Sequence, residues 1–128
     1  MPPERCPCPI HRVGICESAG SNETDQQIYA HTTSFPKHEL YGLIRQIRRA
    51  AVSVPSNIAE GKGYRSDKDF VRFLRHARGS LLELQTQLLI GEDLAYVSKE
   101  NSRAMLDKAE VVGSALSGLI SSMTRIAA

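Results

Sequence analysis

The chain has 128 residues, 41% of them hydrophobic, with 16 Lys and Arg against 14 Asp and Glu. That length fits one domain with a single core, and a formal charge of +2 by itself argues neither for nor against a nucleic-acid partner. No apolar run approaches the roughly 20 residues of a membrane span, and no apolar signal stretch opens the chain, so a cytoplasmic protein without a membrane partner is expected.

Residues 1–22 carry Pro2, Pro3, Pro7 and Pro9 with Gly14 and Gly20, and no sustained helical or strand period. They read as a disordered leader, with the domain proper spanning 23–128. Cys6, Cys8, His11 and Cys16 are four soft ligands in eleven residues. Their spacing, C-x-C-x2-H-x4-C, is not one of the usual paired-knuckle patterns, and a proline follows each of the first two cysteines. No metal and no cofactor are therefore expected. All three cysteines precede the packed part, so they supply no disulfide framework.

From Ser21 to Thr33 the sequence becomes helix-compatible, with Glu23 and Asp25 suited to a first turn and Ile28 and Tyr29 as anchors. Pro36 disfavours helix at Phe35, so the next helix is predicted to start near Lys37 or His38. Leu40, Ile44, Ile47, Ala51, Val54 and Ile58 then recur at steps of three and four, the seam of a packed helix. Pro55 should kink that helix or restart it with Ser53 as a cap, and Gly61 and Gly63 should end it. Ser66 opens a third helix with Asp69 three residues on. Its seam is Phe70, Leu74, Ala77, Leu81, Leu84 and Leu88. A turn is expected from Gly91 to Val97. Ser98 caps a fourth helix with a seam of Met105, Ala109, Val112, Leu116, Leu119, Met123 and Ile126. Short connections make consecutive helices antiparallel neighbours. The fold class is all-α: an antiparallel up-down four-helix bundle with a shortened or irregular first helix.

Val71, Leu82 and Leu89 form a stripe beside the third seam. They imply a second buried face, either a wide intramolecular one or an oligomer interface. Gly79 and Gly113, inside two helices, read as sites of close helix packing.

Residues 37–94 hold ten basic and seven acidic side chains, so the positive excess sits in the two central helices. Arg45, Arg48 and Arg49 point away from the seam, with no acid between Leu40 and Ala59 to neutralise them. Arg72, Arg75 and Arg78 project from the third helix, and Lys62 and Arg65 lie at the joining turn. These eight are the candidate nucleic-acid-binding residues, on the view that such a face binds phosphates. The competing reading is a solvated face, or inter-subunit salt bridges to Glu60, Glu83 or Glu92. Tyr41 and Tyr64 are the aromatic residues near them, so contact to the backbone of structured or double-stranded nucleic acid is expected over reading of single strands.

Catalytic signatures are weak. Gly61-Lys62-Gly63 lacks both the G-x-x-x-x-G-K-[ST] pattern and a preceding strand. His11, His31, His38 and His76 are scattered, without the Glu-x-x-His pairs of a bundle metal site. Asn57 and Glu60, one turn apart, suit a structural role at the Pro55 kink better than a polar site. A non-enzymatic protein is expected.

The run Gln46-Ile47-Arg48-Arg49-Ala50-Ala51-Val52-Ser53-Val54-Pro55-Ser56-Asn57-Ile58-Ala59-Glu60-Gly61 resembles the bacterial four-helix bundle proteins named for reading frames inside intervening sequences of 23S rRNA genes. The likeness continues through Phe70-Val71-Arg72-Phe73-Leu74, Ala77-Arg78-Gly79-Ser80-Leu81, Glu83-Leu84 and Gln87-Leu88. It implies an antiparallel bundle and a ring-like homo-oligomer, a pentamer by resemblance. It also points to a relative, the accessory protein of diversity-generating retroelements, which binds nucleic acid and its reverse transcriptase. RNA or DNA, or a nucleic-acid-processing protein, is accordingly the implied partner. Such proteins usually begin with a full first helix carrying a Leu-x-Val-Trp type anchor, whereas here only Gln27 to Thr32 matches its end. The resulting expectation is a self-assembling module that binds nucleic acid or a partner that processes it; the alternative is a scaffolding homo-oligomer whose arginines bridge subunits.

Overall fold

The computed structural model describes residues 21–33, 35–39 and 42–127. The proposed leader up to residue 20, with its cysteines and His11, lies outside the described residues, as do Leu40 and Tyr41. Among the described residues the chain forms four α-helices: α1 (Ser21–Thr32), α2 (Leu43–Gly63), α3 (Asp67–Asp93) and α4 (Lys99–Ala127). Each helix packs on the next, and α1 closes the ring by packing on α4. The result is an all-α four-helix bundle with a short first helix.

The heptad positions fill the core. Ile44, Ile47, Ala51, Val54 and Ile58 of α2, all six seam residues of α3, and Met105, Ala109, Val112 and Leu116 of α4 are buried. Leu119 and Met123 are partly buried against them. The faces are wider than the seams alone, because Ala50, Val71 and Ile120 are buried too. Val71 is thus covered within the bundle, which removes it from the proposed oligomer stripe. Leu82 and Leu89 stay exposed, at 58% and 48%.

Polar pairs along α2 and α3 set their direction and register. Gln87 Nε2 donates to Gln46 Oε1 at 3.4 Å, Arg49 lies 3.9 Å from Glu83, and the Ser53 and Ser80 hydroxyls share a hydrogen bond of 2.9 Å. Residue numbers climb on α2 as they fall on α3, so the two helices run antiparallel.

Local chemistry accounts for the helix ends. The Asp69 N–H donates to Ser66 Oγ at 3.4 Å and the Asn101 N–H to Ser98 Oγ at 3.2 Å, each satisfying one free amide of a first turn. At the end of α3, Tyr96 N–H donates to Gly91 O and Ala95 N–H to Glu92 O, a Schellman turn. It holds Ala95 at φ 58°, a conformation that costs a residue with a β-carbon about 1–2 kcal/mol.

Five local expectations are corrected. The chain after Pro36 forms one turn of 3-10 helix, Lys37–Glu39, and α2 begins only at Leu43. Phe35 ties this connection down: it is buried, its ring 5.5 Å from that of Tyr96, and a β-carbon built at Gly91 would stand 3.1 Å from its Cζ. Gly91 lies inside α3, which runs to Asp93, so the expected turn begins later than Gly91. Helix α2 continues through Pro55, and Ser53 caps nothing; Asn57 Nδ2 donates to Ser53 O and Oγ at 2.8 and 2.9 Å, tying that turn together. Gly61 lies inside α2, ahead of the helix end, where a β-carbon would come within 2.6 Å of Phe73 Cβ. Gly113 faces Leu81 at 3.3 Å, as close packing requires, but Gly79 looks onto open space.

Candidate nucleic-acid interface

Helix α2 holds its core face with Ile44, Ile47 and Ala51, so residues 45, 48 and 49 fall on its flank and outer side. Arg45 and Arg49 are exposed and Arg48 is half-buried. Helix α1 supplies the opposite wall. Its inward face carries Asp25, Ile28 and Thr32 at steps of three and four; Tyr29, one residue past the fully buried Ile28, turns outward and is 45% exposed.

Arg48 is fixed by that wall. Its Nε donates to Thr32 Oγ1 at 3.0 Å, and its guanidinium lies 4.7 Å above the Tyr29 ring. Thr32 is fully buried and donates its hydroxyl to Tyr29 O at 3.2 Å, so it is held from both sides. A cation over an aromatic face is worth about 0.5–1 kcal/mol at an exposed site. The larger effect is order: a long side chain that normally loses rotamer freedom on binding has already lost it here. Its terminal nitrogens have no protein partner among the described residues. Tyr29, Arg45, Arg48 and Arg49 rim an open groove of about 540 Å³ whose floor is Ile44 and Val52. The Arg49 contact with Glu83 joins two side chains that are 77% and 46% exposed, so water screens it and it leaves the arginine available.

The other five basic candidates lie elsewhere. Arg49 is level with Glu83, and Arg72 is eleven residues earlier on α3, about 16 Å along the axis at 1.5 Å per residue. Lys62 sits over the Phe70 ring at 5.2 Å, and Arg72 pairs with Asp69 at 3.4 Å and lies over Phe73 at 5.1 Å. Arg65 and Arg75 are exposed at this turn end of the bundle. Arg78 lines a separate groove of about 310 Å³ between α3 and α4, facing Glu110. The eight residues thus form a trio at α1–α2, a cluster at the α2–α3 turn, and one outlier.

Tyr64 lies with the basic cluster at the α2–α3 turn, as expected, and stacks on Phe73 with centroids 5.1 Å apart. Beside the α2 arginines lies Tyr29, which the sequence reading treats only as an anchor. Its spacing of three from Thr32 puts both side chains within reach of one neighbour on α2, a signal legible in the chain once Arg48 is paired with them.

Asp25 lies in a small cleft lined by Ala51, Val54, Pro55, Leu81, Leu84 and Val112. Loss of hydration there pushes its carboxyl up from 3.8 to about 6. Among the described residues no three His, Cys, Asp or Glu side chains converge in a way that would hold a metal, and no helix is long and apolar enough to cross a membrane.

A family model described as 23S rRNA-intervening sequence protein matches residues 19–118. No curated protein matches the chain.

Proposed function

The chain belongs to the 23S rRNA-intervening sequence protein family, and from that premise we propose that it is a non-enzymatic, self-assembling bundle that binds nucleic acid through its phosphates. The observation that carries this reading is the arginine trio of α2: three guanidinium groups on one groove, one already oriented by α1, on a helix without an acid from residue 41 to 59. Oriented guanidinium forks match phosphate oxygens in geometry and charge. Lys62, Arg65, Arg72 and Arg75 offer a second contact to the same backbone farther along the bundle. Self-assembly draws on the exposed Leu82 and Leu89, with Ile90 also 43% exposed. The scaffold alternative assigns the arginines to subunit bridges instead.

The test is a titration of the protein with labelled duplex RNA and DNA over a salt series, with assembly followed by light scattering. For duplex DNA, about three to six neutralised phosphates give a log–log slope near −3 to −5 at 0.9 per phosphate. Replacing Arg45, Arg48 and Arg49 by Ala should lower the magnitude of that slope by about 3 and leave assembly intact. Loss of assembly in that variant supports the scaffold reading, and absence of binding at low salt overturns the nucleic-acid reading.

A further inference from the structure

We infer that the α1–α2 groove receives a single unpaired nucleotide, with its base on the Tyr29–Arg48 platform and its flanking phosphates on Arg45 and Arg49. This rests on the nucleic-acid reading and specifies the form of nucleic acid that the groove fits.

A paired duplex presents a convex ridge of phosphates with its bases turned inward. Such a ridge can touch Arg45 and Arg49 at the rim, but it leaves the apolar floor unfilled. The groove has the dimensions of a small-ligand site, about 540 Å³ against the usual range of about 300–1,000 Å³. Its floor is Ile44 and Val52, and Val52 and Tyr29 are 44% and 45% exposed. An unpaired nucleotide supplies both halves of the complement: a flat base that gains by leaving water, and a phosphate on each side.

Arg48 is central to the fit. Held at Nε by Thr32 and lying over Tyr29, its guanidinium covers one face of that ring and leaves its own outer face for a base. Bases stack on tyrosine rings and on arginine planes alike, without regard to sequence. Among the described residues no Asp or Glu lines the groove, and Glu83 of α3, 3.9 Å from Arg49, is a half-exposed partner that water screens.

The experiment compares a fully paired 12-base-pair RNA duplex with the same duplex carrying one central unpaired nucleotide, both end-labelled, by fluorescence anisotropy at about 100 mM salt. The bulged duplex should bind at least about tenfold more tightly. Tyr29→Ala should erase that preference, and Tyr29→Phe should keep it. Arg45→Ala should weaken both duplexes. Equal binding of the two duplexes by the parent protein overturns the inference and leaves phosphate binding standing. A preference that survives Tyr29→Ala in a protein of unchanged circular dichroism overturns it too. Failure of both duplexes to bind, even at low salt, overturns the nucleic-acid reading and this inference with it.

Discussion

Asp25 shows how one side chain can set the conditions under which the site is organised. Its carboxyl titrates near 6 in the folded chain against 3.8 for the free group, because it sits in an apolar cleft. The folded state therefore binds this proton more tightly than the unfolded one does. Stability attributable to Asp25 is fully present below about pH 3.8 and is lost as the pH rises through about 6. At neutral pH the charged form opposes the seating of α1. Asp25→Asn should raise the urea midpoint at pH 7 and remove the part of the decline between about pH 4 and 6 that separates it from the parent. Identical midpoints at pH 7 would show the carboxylate to be well hydrated. Since Tyr29 and Thr32 ride on the same helix, Asp25 also bears on how firmly Arg48 is held.

At the scale of the helix, the crossing of α2 and α3 depends on one missing methyl. A β-carbon at Gly61 would collide with the β-carbon of Phe73, a backbone-anchored atom that cannot swing aside. Gly61→Ala should force the two helices apart at their turn and cost about 1–3 kcal/mol. Gly79→Ala, on the exposed side of α3 with open space around it, should add about 0.5–1 kcal/mol. Urea denaturation of both variants checks the pair, and a cost of similar size at each would sink the packing argument. The contrast also marks what the chain itself reveals. Runs such as Phe70 to Leu88 read directly as buried helix, because a period of three and four admits little else. The role of a glycine does not, since Gly61 and Gly79 look alike until a partner helix is placed against them. Val71 was ambiguous for the same reason: an apolar residue next to Phe70 widens the face, and only the position of its neighbours shows that the monomer covers it. Tyr29 escaped because its significance lies in Arg48, nineteen residues away on another helix. Pro55 allows a kink or a restart, and α2 makes no restart there.

The described helices are unequal in length. Helix α1 has 12 residues, about 18 Å, against 21 residues, about 32 Å, in α2. It covers the end where α2 begins, and the arginine groove lies there. Toward the α2–α3 turn, Ile58, Phe70, Leu74 and Leu116 are buried. A helix as short as α1 is marginal alone and owes its order to Ile28, Thr32 and the residues they meet.

The three residues between α2 and α3 have a kinetic meaning. Closing so short a link costs little chain entropy, so this antiparallel pair should condense early, whereas α1 must return across the ten residues from 33 to 42. Ile58→Ala should therefore slow refolding in stopped-flow measurements, with most of its destabilisation appearing on the folding limb of the chevron. Ile28→Ala should leave refolding almost unchanged and speed unfolding instead. Equal effects on the two limbs at both sites would argue against ordered assembly. If the order holds, a nascent chain has its hairpin before its groove, and the binding surface is the last part of the molecule to come into being.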